Sequence, residues 1–188
     1  RMSRRRLDAE AIRDAMLAVS GKLDLQRPAG SLTQQLDGEV GRRAKTDGLK
    51  KEVTFRSAYL PLVRGLVPEF LGIFDVADPE LVVGQRDVTP VATQALYMMN
   101  RPFVHDQAAE MAKRTVASAS TDPARIDYAF RLAFGRSADA KEQEVSLAFL
   151  AEYESSLDAT KPSPDRRQQA WTKLCHSLLA SGEFRYTY

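Results

Sequence analysis

The chain has 188 residues, 44% of them hydrophobic and 28% charged, enough to bury roughly 70% of its unfolded surface in one core without a metal or disulfide. Its 27 Lys and Arg against 25 Asp and Glu leave a net charge of +2, too balanced for bulk charge to indicate nucleic acid, and no apolar run approaches the roughly 20 residues of a membrane span. The single cysteine, Cys175, excludes an internal disulfide, a four-thiolate zinc site and covalent haem attachment.

In chain order, Arg1, Arg4, Arg5 and Arg6 form the sharpest charge cluster. They run into a helix over 7–19, where Leu7, Ala11, Ile12, Ala15, Met16 and Val19 mark one face and Gly21 supplies the C-terminal cap. The arginines could contact phosphates, but Asp8, Glu10 and Asp14 neutralise much of that field, so ion pairs at a helix start are expected first. The opening Arg1-Met2 shows neither a signal peptide nor a natural start, and the chain is expected to be one 1–188 domain of a longer protein. Residues 22–52 are polar and glycine-rich and read as a long, mobile loop. Residues 53–60 partly alternate and carry β-branched and aromatic types, so they are expected as a short strand. Pro61 and Pro68 then punctuate short helical turns ending near Asp75.

The stretch 84–114 organises the rest. Thr89-Pro90 gives a cap and a first-turn proline to a helix over 91–99 that is apolar on nearly every side, and is therefore expected to be covered all round. Asn100, in a left-handed conformation, and Arg101-Pro102 should end it. The next helix carries Phe103, Val104, Ala108, Met111, Ala112 and Thr115 inward, with His105, Asp106, Glu110, Lys113 and Arg114 towards water. Asp122-Pro123 opens a further helix, with Ile126, Ala129 and Phe130 on its apolar face, stopped by Gly135. Ser137 is expected to open another, with Val145, Ala148, Phe149 and Leu150 inward. Ser163-Pro164 starts the last, whose Trp171, Leu174, Cys175, Leu178 and Leu179 share a face closed by Gly182 before an extended 184–188 tail. The expected fold is mainly α, a single-domain orthogonal helical bundle with at most a small two-stranded element pairing 53–59 with that tail.

Buried polar groups need partners, and those of the central stretch define the candidate site: Arg56, Asp75, Arg86, Asp87, Thr93, Gln94 and Asn100. Arg86 should find a carboxylate, with Asp75 or Asp87 nearest in sequence, while Gln94 should bond the backbone around Arg56. A structural network is the expectation and a ligand pocket the alternative. No catalytic residue is assigned, because no Gly-x-Ser-x-Gly elbow or Gly-rich phosphate loop is present. No metal site is expected either, since Cys175 and His176 are adjacent helix positions that point about 100° apart. Cys175 should be buried and His176 should face water.

The segments 4–14, 56–60, Phe74-Asp75, 93–96, Met99-Asn100, 134–136 and 181–184 together carry a resemblance over nearly the whole chain. The chain resembles the C-terminal domain of unknown function of large planctomycete proteins that often also carry a c-type cytochrome domain. The resemblance implies no activity. It implies a periplasmic or cell-surface location, a haem-bearing neighbouring domain with no cofactor in this chain, and partners among other domains of the polypeptide or at the cell surface. The leading expectation is a non-catalytic interaction or scaffold module. The alternatives are a carbohydrate or other extracellular ligand-binding or catalytic domain, and nucleic-acid binding through Arg1 to Arg6.

Overall fold

The computed structural model describes residues 4–35, 53–63, 67–82, 84–86, 89, 92–157 and 162–187. Among them run β1 (Arg5–Arg6), α1 (Ala9–Ser20), α2 (Glu69–Ile73), α3 (Ala92–Asn100), α4 (Pro102–Ser118), α5 (Asp122–Phe134), α6 (Ala140–Ser156), α7 (Ser163–Ala180), α8 (Gly182–Arg185) and β2 (Tyr186–Thr187). The fold is mainly α, with one two-stranded antiparallel sheet among these residues.

The periodic stripes fold as their spacing requires. α1 buries Ile12, Met16 and Leu17, and Gly21 closes it at φ +77°. α5 buries Ile126, Ala129 and Phe130 and ends at Gly135 with φ +71°. Arg136 pins the corner beyond it, gripping Glu142 and Glu183 with two hydrogen bonds each. The centre is the pairing of α4 with α7, the most extensive helix contact among the described residues. Phe103, Val104, Met111 and Thr115 of α4 meet a core that includes Trp171, Cys175 and Leu179 of α7, with α1, α5 and α6 packed around the pair.

α3 differs from expectation. It buries only Gln94, Tyr97 and Met98 and leaves Leu96 and Met99 exposed, so it lies at the periphery. Nine residues offer a short contact face, whereas the 17-residue α4 carries a long, narrow stripe that can be enclosed. Asn100 also stays helical and donates from its side chain to the Leu96 carbonyl; the break falls at Arg101, which is extended before Pro102. α6 starts at a capping box of Asp139 and Glu142 rather than at Ser137, and it turns Ser146 and Leu150 inward while Val145 is 54% exposed. Apolar residues at 145 and 147–150 nearly encircle that helix, so periodicity alone cannot choose its inner face.

The small sheet also pairs differently. β2 lies against β1, with Arg5 opposite Thr187 and Arg6 opposite Tyr186, and not against 53–59. Residues 53–60 are not a strand. Phe55 makes one parallel bridge to Asp24, then Asp14 accepts both the Ser57 amide and hydroxyl and the chain closes into the 3₁₀ turn Ser57–Tyr59. A side-chain acceptor that satisfies a backbone amide competes with a ladder bond, and here it wins. The tail is shorter than expected, because Phe184 is buried in α8, which Ser181 caps. Most of the polar 22–52 stretch lies outside the described residues; Leu32–Gln35 within it form a 3₁₀ turn.

Candidate functional site

The polar groups of the central stretch converge on Asp75. This residue follows α2 at φ +61°, a left-handed conformation that Asp tolerates better than most residues. The turn aims its carboxylate between β1 and α3. Oδ2 accepts from Arg6 Nη2 at 2.7 Å, from the Thr89 amide at 3.0 Å and from Gln94 Nε2 at 3.3 Å, while Oδ1 accepts from the Thr89 hydroxyl at 3.1 Å. Burial works to raise the Asp75 carboxyl, but the Thr89 amide, the Arg6 guanidinium and the Thr89 hydroxyl outweigh it and hold the pKa below its ordinary value.

Arg6 is the hub that sequence reasoning left in the surface cluster. Its side chain is 4% exposed, and beyond Asp75 it donates to the Thr89 and Phe74 carbonyls and to Gln94 Oε1. Of its donors only Nε lacks a partner among the described residues. Gln94, 2% exposed, gives its remaining bond to the Ile73 carbonyl at 3.0 Å. Four segments are thus tied through one carboxylate, and little of it is left for chemistry. An ionised carboxylate saturated by donors is a clamp and not a poised base.

The other expected members lie elsewhere. Arg86 pairs with Glu10 of α1 at 2.7 and 3.0 Å, and not with Asp75, because Arg6 already occupies that carboxylate. Burial acts to raise the Glu10 carboxyl, but bonding to Arg86 leaves it below its ordinary value. Arg56 is half exposed and sits 3.8 Å from Asp14, and Gln94 bonds Ile73 instead of the Arg56 backbone. Thr93 and Asn100 are exposed, and Asp87 lies outside the described residues. Buried Arg13 is a second unpredicted anchor, donating to the Val53 and Phe55 carbonyls and to the Ser57 hydroxyl. Both arginines sit in a charged N-terminal stretch where no local pattern separates an inward arginine from an outward one.

The two histidines meet, which their separation in sequence concealed. The His105 and His176 rings lie against each other with centroids 4.1 Å apart and planes tilted by 37°, and His176 Nε2 lies 2.8 Å from the Met98 carbonyl at the end of α3. His176 is therefore half buried and does not face water. Cys175 is fully buried, and desolvation pushes its thiol up to about 12. Among the described residues no three His, Cys, Asp or Glu side chains gather in a way that could hold a metal ion, and no helix is long and apolar enough to cross a membrane.

The family described as a protein of unknown function (DUF1553), PSD1, matches residues 1–150, from the β1 strand that carries Arg6 into α6. No curated protein and no solved structure matches the chain. The matched span contains every residue of the Asp75 clamp and covers most of the chain, and the protein belongs to the PSD1 family of proteins of unknown function (DUF1553).

Proposed function

We propose that this domain is a non-catalytic interaction module, a scaffold that docks another domain of the same exported polypeptide through α3. One observation carries this reading. The Asp75 clamp spends its polar groups on fixing the inner side of α3, while Ala92, Ala95, Leu96 and Met99 on the outer side stay exposed, Leu96 by 57% and Met99 by 58%. These positions are spaced i, i+3, i+4 and i+7, so they form one apolar stripe on a rigidly held helix, the arrangement that a helix-packing partner recognises. The resemblance supplies the partner class: a neighbouring domain, with a haem-bearing cytochrome-type domain as the first candidate, in the periplasm or at the cell surface.

The test mixes the domain with the separately expressed remaining domains of the polypeptide and measures association by calorimetry. Leu96→Glu and Met99→Glu should leave stability within about 0.5 kcal/mol, as exposed substitutions do, and abolish association. Association that survives both substitutions would move the docking face away from α3. If the wild-type domains do not associate at all, the scaffold reading falls.

A further inference from the structure

The last turn of α3 is held from outside the helix. A helix carbonyl ordinarily accepts the amide four residues on, and for Met98 that residue is Pro102, which has no N–H. The neighbouring carbonyls are served locally, Tyr97 by the Arg101 amide at 3.0 Å and Leu96 by the Asn100 side chain at 2.9 Å. Met98 is fully buried, so water does not reach it, and its carbonyl relies on His176 Nε2 of α7 at 2.8 Å.

That contact fixes the tautomer. A carbonyl only accepts, so Nε2 carries the proton, and Nδ1 of the neutral ring is a bare lone pair. His105 of α4 lies against the same ring, with centroids 4.1 Å apart, so three helices meet at one imidazole.

A proton added at Nδ1 finds no counter-charge. The charged neighbours acting on His176 are His105 from α4 and Lys173 one turn back on α7, and both carry the same sign as an imidazolium when protonated. α3 brings no charged side chain, and its one ionisable residue, Tyr97, packs edge-on to Phe70 and Phe74. Arg101, in the link to α4, pairs with Glu69, and Asp106 stands about 100° round α4 from His105. Among the described residues no carboxylate pairs with either ring. A charged, half-buried ring without a counter-ion is better solvated outside, and turning outward strands the Met98 carbonyl. Fraying of the last turn of α3 then lets that carbonyl reach water.

We propose that the His105–His176 pair is an acid-sensitive latch on the last turn of α3, which opens when the pair takes up a proton and so weakens docking through Leu96 and Met99. Only the consequence for docking rests on the scaffold reading; the latch itself does not.

Amide exchange of Met99, Asn100 and Arg101, corrected for its intrinsic pH dependence and followed from pH 7.5 to 5, tests the latch in this chain. Protection should fall by up to about tenfold per pH unit, the limit for one proton. His176→Gln keeps an N–H donor for Met98 but does not titrate in this range, and it should hold protection level. His176→Ala should lose protection at every pH. His105→Gln removes the repelling ring and should shrink the fall, and it serves as the second variant if His176→Gln does not fold. Wild-type protection that stays level, or that falls equally in a folded His176→Gln, would overturn the latch. Calorimetry with the remaining domains of the polypeptide at pH 7.5 and 5.5 tests the consequence: association should weaken in acid for the wild type and hold for His176→Gln. Equal weakening in both would overturn the control of docking. Wild-type domains that associate at neither pH would remove the docking reading and the consequence drawn from it, while the exchange data still judge the latch.

Discussion

Arg6 Nη2 donates to Asp75 Oδ2 at 2.7 Å across 69 residues of chain, and the guanidinium is 4% exposed. The pair joins the edge of the terminal sheet to the turn after α2, and through Thr89 and Gln94 it also fixes α3. Removing one member of a buried, hydrogen-bonded pair strands the other, which costs far more than the pair contributes net. Arg6→Ala should therefore lower stability by roughly 3–5 kcal/mol. Asp75→Asn keeps a residue that tolerates positive φ, so any loss it shows comes from the charge and the acceptor oxygen it removes and not from the backbone. Urea unfolding of the two single variants and the double variant would measure the coupling, and additive losses would contradict a direct pair.

Gln94 and Arg86 should part company in the same assay. Gln94→Ala leaves buried groups on Arg6 and Ile73 without a partner and should cost roughly 1–3 kcal/mol. Arg86 pairs with Glu10 at an exposed position, and Arg86→Ala should cost at most about 1 kcal/mol. Equal losses from the two would mean that the clamp is not centred on Asp75.

Acid should loosen the joint between α3 and α7. Burial holds the His176 imidazole below its ordinary value, the Met98 carbonyl opposes that shift, and His105 and Lys173 reinforce it. A folded-state pKa below the unfolded one makes the unfolded chain the better proton acceptor, so this stability is complete above about pH 6.5 and is lost as pH falls from there through the lower folded-state pKa. The carboxylates with lowered pKa values respond only at more acidic pH, below their own unfolded values. Between pH 7 and 5 the melting temperature should fall, and His176→Gln should flatten that slope. An equal slope in the variant would show that the ring pair contributes nothing.

Two glycines separate backbone strain from side-chain clash. Neither Gly135 nor Gly182 would bring an added Cβ within 4 Å of another atom, but only Gly135 has positive φ, at +71°. Gly135→Ala should cost about 1 kcal/mol, and Gly182→Ala should stay within about 0.5 kcal/mol of wild type. Thermal melts of both variants check the difference.

What the sequence determined by itself is the local part of this protein. The helices at α1, α4, α5 and α7 follow from apolar residues at steps of three and four, and the stops at Gly21 and Gly135 follow from the low cost of left-handed glycine. Those signals span a few residues, so a single chain displays them. Tertiary structure decided which polar groups meet. Arg6 and Arg5 are neighbours of the same type, and pairing with Tyr186 and Thr187 turned the first inward. His105 and His176 meet only because α4 packs along α7, and Arg86 reaches Glu10 because Arg6 holds Asp75 first. In each case the deciding interaction joins distant residues whose desolvation must be repaid by whichever partner the packing brings within 3 Å or so, and no local spacing encodes that choice.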